Sequence, residues 1–320
     1  MRSSVANTHG RVLVTGAAGF VGRYLVSALL DDGWEVLALV HERILPKHLE
    51  SDALQVIQGD INDLTFIRNA VSQVDAVCHL AAYIPPNYED SEYAERCLQV
   101  NSLLTLRIAE FAVERYSRRF IFFSSGQAHQ YSEAPVSENA PLYPAKRATY
   151  YLTSKLVGEL YLEHLRYLNN LPAITLRVAS CYGFGMPEKA VVYRFMKCVL
   201  ERLPLQVWDG GIPTYDFVYV SDVVQLAVAA LTSGDSGIYN VGSGRAYSVI
   251  ELAQAVVDTF PEKEVPIDVK PPLDSIPASF PALSIEKAAK TWNYSPLSLK
   301  DGLAKLRKQM EQALSVDSNL

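Results

Sequence analysis

Cysteine is scarce in this chain: four among 320 residues (Cys78, Cys97, Cys181 and Cys198), with no C-x-x-C pair and no Cys/His cluster. That pattern excludes a disulfide framework and a zinc site, so no metal is expected; it fits reduced thiols of a cytosolic protein. Long hydrophobic runs are missing too. None approaches 18 residues, which argues against a membrane-spanning helix. Runs of lysine or arginine do not occur, and the formal charge of −6 is the wrong balance for a nucleic-acid partner. The opening MRSSVANTHG is polar and lacks the apolar core of a secretory signal, so a cytoplasmic location is expected. Internal repeats and low-complexity stretches are absent. What the chain does have is 49% apolar residues, enough for a sizeable core.

Short, near-continuous apolar runs recur through the first half: RVLVTG (11–16), EVLALV (35–40), LQVIQG (54–59), DAVCHLAA (75–82), RFIFFSS (119–125) and AITLRVAS (173–180). Each reads as a strand covered on both faces. Helical periodicities alternate with them, among them 93–116 and 150–168. Strand–helix–strand repetition implies right-handed crossovers and an α/β fold with a Rossmann-like, doubly wound parallel sheet. Residues 1–172 are expected to form the dinucleotide-binding domain, with about 215–250 packing back on it. Residues 173–320 would mainly form a smaller substrate-binding domain. A proline-rich stretch at 266–284 reads as a long substrate-side loop, and a last helix is expected at 298–314.

VTGAAGFVG (14–22) spaces Gly16, Gly19 and Gly22 as G-x-x-G-x-x-G between a predicted strand and a predicted helix. Gly16 suits a tight turn with positive φ, Gly19 the approach of backbone N–H groups to a pyrophosphate, and Gly22 close packing of helix on strand. Ala18, Phe20 and Val21 fill the loop and open the helix, whose N-terminus favours phosphate. The second strand runs out as LVHERILPK (39–47). Glu42 there would bind a ribose hydroxyl, whereas Arg43 with His41 would bind a 2′-phosphate; the balance between NAD and NADP leans slightly to NADP.

TYYLTSK (149–155) places Tyr151 four residues before Lys155, hence on one helix face, while Tyr150 points elsewhere. A lysine ammonium beside a phenol favours phenolate, and such a tyrosine can exchange a proton with a substrate hydroxyl or carbonyl. Ser124 and Ser125 end the fifth strand, at the rim where open α/β sheets bind ligands.

Together TGAAGFVG (15–22), GDIND (59–63), HLAA (79–82), Asn101, FFSS (122–125), YLTSKLVGE (151–159), LRVASCYG (176–183), YDFVYVSDV (215–223) and YNVGSG (239–244) resemble an extended short-chain dehydrogenase/reductase of the NAD-dependent epimerase/dehydratase family. The resemblance spans nearly the whole chain. It implies that Asp60 and Ile61 lie against the adenine, that Leu80, Ala81, Ala82 and Tyr83 line the cofactor with Asn101 nearby, and that Ser125 joins Tyr151 and Lys155 in a catalytic trio. It also implies homodimers formed through helices flanking the sheet.

Three departures from the family pattern stand out. Gly126 and Gln127 replace the Asp-Glu pair of the dehydratases, which disfavours β-elimination. AHQ (128–130) replaces the usual aromatic-plus-glycine and brings His129, with Gln127, toward the substrate, although a merely hydrogen-bonded loop histidine is the blander reading. Tyr215 replaces the arginine expected before DF, the arginine expected near 278–284 is absent, and Ser180 stands near the usual asparagine position. Arginine grips a diphosphate bidentately as tyrosine cannot, so Arg194 or Arg202 would have to substitute. The expected function is an NAD(P)-dependent oxidoreductase or epimerase acting by hydride transfer, with Tyr151 as general acid/base, at a secondary alcohol or ketone of a sugar-like, possibly nucleotide-linked, substrate; the shared trio does not separate epimerase from dehydrogenase. A ketoreductase or dehydrogenase of a non-nucleotide substrate, and a non-catalytic NAD(P)-binding sensor or scaffold, are the alternatives.

Overall fold

The computed structural model describes residues 9–144, 147–272 and 279–317. Six strands occur where the apolar runs place them: β1 (Arg11–Thr15), β2 (Glu35–Val40), β3 (Leu54–Gln58), β4 (Ala76–His79), β5 (Arg119–Ser125) and β6 (Ala173–Val178). β7 (Ser180–Tyr182), β8 (Leu205–Val207) and β9 (Thr214–Tyr219) follow, then β10 (Gly237–Val241), β11 (Ala246–Ser248) and β12 (Ile267–Val269). The main sheet runs β3-β2-β1-β4-β5-β6-β10, parallel throughout. Two small sheets, β11-β9-β7 and β12-β8, stand beside it. The expected sixth strand divides: β6 ends at Val178, and β7 turns away to pair with β9.

Alternation along the strands explains their unbroken apolar character. Val12, Val14, Val36 and Ala38 point into one core, while Leu13, Leu37 and Leu39 point into the other. The first core is closed by α1 (Phe20–Asp31) and α7 (Val220–Thr232), the second by α2 (Leu64–Ala70), α4 (Leu104–Glu114) and α5 (Thr149–Asn169). Each fully buried Leu or Val on these faces contributes about 1.5–3 kcal/mol relative to exposure. α6 (Val191–Leu200) and α8 (Val249–Asp258) pack beside β8, and α9 (Glu286–Trp292) and α10 (Leu299–Asp317) complete the chain. Among the described residues no helix is long and apolar enough to cross a membrane.

The helix expected at 93–116 is not continuous. α3 (Ala94–Cys97) passes into a π-helical segment, Leu98–Leu103, before α4 begins. Side-chain bonds to the neighbouring helix accompany the widened turn: Ser102 Oγ donates to Ser154 O at 2.7 Å, and Asn101 Nδ2 to Ser154 Oγ at 2.9 Å.

Candidate active site

β1 delivers the glycine loop to the switch point of the sheet, where β1 and β4 lie side by side. Gly16 has φ +69°, and a Cβ on it would stand 2.8 Å from Ala81 N, so loop and β4 terminus touch backbone to backbone. A Cβ on Gly22 would sit 2.2 Å from Gly16 O, which is why α1 can start so close beneath the turn. Gly19 caps α1 without any side-chain acceptor, leaving the first N–H groups of the helix unclaimed by a side chain. Ala18, Phe20, Val21, Leu80, Ala81 and Ala82 are half-buried around this loop. An uncapped helix start beside a cradle that admits no side chain fits a dinucleotide pyrophosphate.

A buried chain of hydrogen bonds fixes the floor. Thr105 Oγ1 donates to Asn101 O at 2.8 Å and lies 3.1 Å from His79 Nε2; His79 Nδ1 is 2.8 Å from Thr15 Oγ1, which accepts from Ala81 N–H at 3.2 Å. The donor order is satisfied by neutral His79 protonated on Nε2. Burial, with the Lys155 charge, pushes the His79 pKa down to about 3. Asn101 departs from its expected role as a cofactor contact. It is fully buried, its Oδ1 accepting from Tyr83 N–H at 2.7 Å and its Nδ2 donating to Tyr83 O at 2.9 Å. It shapes the Tyr83 segment from behind instead.

At the far edge, Asp60 Oδ1 accepts from Asn62 N–H and Nδ2–H at 2.9 and 2.8 Å, bonds that with the His41 charge hold its carboxyl below the usual range. Ile61 is half-buried beside it. His41 and Arg43 are exposed after β2, and His41 Nδ1 lies 3.9 Å from Glu42.

α5 carries Tyr151, Lys155 and Glu159 at successive four-residue steps. Lys155 Nζ donates to Phe123 O at 2.9 Å and lies 4.9 Å from the centre of the Phe122 ring. Burial lowers its pKa to about 8, and Glu159 opposes that shift. The same helix turn is tied back by Ser154 Oγ, which donates to Tyr151 O at 2.7 Å. Tyr151 does not have the lowered pKa that its spacing from Lys155 suggests. Burial raises it, helped by Tyr88, whose ring is 6.0 Å away, edge to face. Ser125 ends β5 and heads the turn Gly126–Ala128, its Oγ accepting from Gln127 N–H at 3.3 Å.

The substrate-side candidates separate. Gln127 Nε2 donates to Ser180 Oγ at 3.0 Å, and both line a crevice with Asp216 and Phe280. Tyr215 packs its ring 5.4 Å from Phe280. Ser124 and His129 belong elsewhere. Strand alternation turns Ser124 inward, where its hydroxyl donates to Glu159. His129 is only 3% exposed, with Nε2 3.5 Å from Arg177 Nη1, and burial beside that guanidinium lowers its pKa to about 4. Both are parts of the buried support, not cleft residues. Arg194 is exposed on α6, and Arg202 is exposed just after it. The arginine expected near 278–284 has no counterpart in 279–284, and residue 278 lies outside the described residues.

Sequence reading passed over Glu159, Arg177, Arg147 and Asp216. The first was within reach, since it repeats the four-residue step from Lys155. Arg177 meets Glu159 only because β6 pairs Arg177 with Ser124. Asp216 accepts from Ser243 N–H and Oγ–H at 2.7 and 2.6 Å and from Leu283 N–H at 3.0 Å, clasping three segments distant in sequence.

The comparisons with known proteins agree with this geometry. The model of the NAD dependent epimerase/dehydratase family matches residues 12–242. A UDP-glucose 4-epimerase of Mycolicibacterium smegmatis is 31% identical over 311 residues, covering 92% of this chain and 96% of the relative. Among solved structures, the UDP-glucose 4-epimerase of Thermotoga maritima with UDP-glucose superposes with a TM-score of 0.82 at 25% identity, covering 95% of this chain and 99% of that one. MoeE5 in complex with UDP-glucuronic acid and NAD gives 0.82 at 26% identity, covering 95% and 100%. With a Rossmann-like sheet, a glycine cradle and a family match across most of its length, this chain is an enzyme of the NAD-dependent epimerase/dehydratase family, within the extended short-chain dehydrogenases/reductases.

Proposed function

We propose that this enzyme inverts a secondary alcohol of a nucleotide-linked sugar, with Tyr151 as general acid/base. The reading is carried by one observation: α5 aligns Tyr151 with an anchored, buried Lys155 beside the β5 terminus that bears Ser125. Bound NAD supplies acceptance and return of a hydride at the alcohol carbon. Tyr151 takes the hydroxyl proton as the carbonyl forms and gives it back when the alcohol is restored. Burial keeps Tyr151 a neutral phenol in the free protein, the form that donates. Lys155, cationic below about pH 8, provides the pull toward phenolate that the opposite step needs. Ser125 Oγ orients the reacting oxygen, with Gln127 and Ser180, joined by a 3.0 Å hydrogen bond, next to it.

Gly126 and Gln127 offer no acid–base pair for elimination, so the reading is epimerisation and not dehydration. NAD is preferred to NADP, because Glu42 beside His41 places a carboxylate where a 2′-phosphate would need cations. Homodimerisation through α3–α4 and α5 is part of the reading: Leu98, Leu103, Leu160 and Leu168 are large apolar side chains left exposed on these packed helices.

The test is to identify the nucleotide released on denaturation, then to incubate the protein with UDP-glucose and UDP-glucuronic acid and follow sugar configuration by NMR. Retained NAD and interconversion without net NADH are expected. Tyr151→Phe should lower turnover by about 10²–10⁴-fold with NAD still bound. Wild-type turnover in that variant would remove Tyr151 from the chemistry, and net consumption of added NADPH would identify a reductase instead.

A further inference from the structure

Among the described residues four tyrosines are buried, and each donates its hydroxyl to a protein oxygen: Tyr182 to Leu299 O, Tyr219 to Gln309 Oε1, Tyr239 to Asp235 O and Tyr294 to Gly242 O. Tyr88 and Tyr151, half-buried with their rings 6.0 Å apart edge to face, behave differently. Neither hydroxyl has a hydrogen-bond partner among the described residues. The proposed chemistry accounts for Tyr151; nothing so far accounts for Tyr88. It stands in the loop that leaves the C-terminal end of β4, the edge where open α/β sheets take their ligands. The loop is held at both ends. Asn101 binds the N–H and the carbonyl of Tyr83 at 2.7 and 2.9 Å, and Pro85 and Pro86 restrict the backbone that follows. Beyond Tyr88, Asn87 Oδ1 accepts from Glu89 N–H at 3.1 Å and Asp90 Oδ1 from Glu92 N–H at 2.9 Å. The Tyr88 ring packs against the small cluster of Ala128, Ala148, Leu152 and Phe280. Burial raises its pKa against the charge of Arg147, so the phenol is neutral, a donor and an acceptor at once. Arg147 has its guanidinium carbon 5.5 Å from the centre of the Tyr215 ring and 5.8 Å from that of Phe280, and Phe280 stands beside Gln127 and Ser180. That this charge also reaches the Tyr88 hydroxyl places the hydroxyl on the substrate side of Tyr151.

We propose that Tyr88 is a specificity-determining residue: its hydroxyl bonds a sugar hydroxyl neighbouring the one that Tyr151 serves. This rests on the nucleotide-sugar reading above and deepens it. A neutral phenol that both donates and accepts suits a second hydroxyl of the sugar. A site built to bond a hydroxyl discriminates against the analogue that lacks it, because the protein group is then left unpaired.

The experiment is a cycle of one residue against one substrate hydroxyl in the NAD-loaded full chain. Wild type and Tyr88→Phe are assayed with UDP-glucose and with its 3-deoxy and 6-deoxy analogues, which lack in turn the hydroxyls flanking carbon 4. Phe keeps the ring and its contact with Tyr151 and removes only the oxygen, so retained NAD and melting temperature should stay near wild type. Tyr88→Phe should lower kcat/KM for UDP-glucose roughly 3- to 10-fold, mainly through KM. It should leave kcat/KM unchanged for the analogue that lacks the hydroxyl Tyr88 binds, which also identifies that hydroxyl. An equal loss with all three substrates overturns the proposal, since a purely structural role, or a role in tuning Tyr151, lowers them alike. No loss with any of them overturns it too. A wild-type protein that inverts none of these sugars sinks the epimerase reading; the same cycle run on their dissociation constants then decides Tyr88 by the same criterion. Binding of none of them overturns both.

Discussion

Arg177 grips Glu159 through two nitrogens, Nη2 at 2.7 Å and Nε at 3.1 Å from Oε2, with the two side chains 3% and 5% exposed. Ser124 donates to the same carboxylate, and Arg177 Nη1 donates to Glu138 O at 2.8 Å, so β5, α5, β6 and the 136–138 segment meet at one buried pair. Glu159 lies one turn beyond Lys155, so this pair forms the rear wall of the proposed catalytic helix face.

Breaking it from one side strands a buried charge. Arg177→Met should cost about 3–5 kcal/mol, read from urea unfolding. Adding Glu159→Gln should recover part of the loss, because the orphaned carboxylate goes with it. A double variant whose loss relative to wild type equals the sum of the two single losses would contradict the coupling.

Acid should destabilise the protein through His79. Its folded pKa, about 3, lies below the ordinary value of 6.5, so between these values the unfolded chain holds a proton that the folded chain refuses. Stability attributable to His79 is therefore whole above pH 6.5 and is lost progressively toward pH 3. At pH 5 the loss amounts to about 2 kcal/mol. His129, with a pKa of about 4, adds a loss of the same sign. Unfolding free energies at pH 7 and pH 5 should differ less in His79→Gln than in wild type; equal differences would refute the assignment.

Lys155 should titrate near pH 8 in the free enzyme, far below the ordinary 10.5. Its ammonium predominates below that pH and disappears above it. Affinity for NAD should fall as pH rises through about 8 if the ammonium holds the cofactor, and Lys155→Met should flatten that dependence. Fluorescence titration between pH 6 and 9.5 measures it.

Gly22→Ala should abolish dinucleotide binding and lower the melting temperature. The new methyl would stand 2.2 Å from Gly16 O and 2.8 Å from Ala17 O, both backbone atoms of the turn itself. Neither can retreat without moving the cradle. Normal NAD retention in this variant would contradict the packing role.

Leu103→Glu or Leu160→Glu should shift the proposed dimer to monomer in sedimentation velocity, since each puts a charge at an exposed apolar position of α5 or its neighbour. A wild-type protein already monomeric would exclude that surface as the interface.

Much of this architecture is local in origin and legible for that reason. Doubly covered strands need apolar residues at nearly every position, so β1, β2, β4, β5 and β6 announce themselves; β3, at the sheet edge, departs from the expected cover on both faces and leaves Gln55, Val56 and Gln58 exposed. A dinucleotide turn needs glycine where a Cβ has no room. The four-residue step that pairs Tyr151 with Lys155 is helix geometry alone. β10 was harder to read, because GIYNV looks like any short strand until it pairs with β6. The π-helical segment at Leu98–Leu103 was invisible, since nothing in its own residues demands it; its bonds run to Ser154 and Tyr83.

The fold class, the glycine cradle and the alignment of α5 were thus set by the sequence itself, through periodicity and through steric limits on single residues. The tertiary structure decided which neighbours count. Ser124 and Ser125 are adjacent in the chain, yet the strand pleat sends one to Glu159 and leaves the other at the turn beside the cleft. Tyr151 has its lysine one turn away in the chain, yet burial raises its pKa. His129 became a buried support, and Arg147 came to rest against Tyr215 and Phe280 from far along the chain. Desolvation and side-chain contact are sums over everything that surrounds a group in space, and no spacing along the chain contains them.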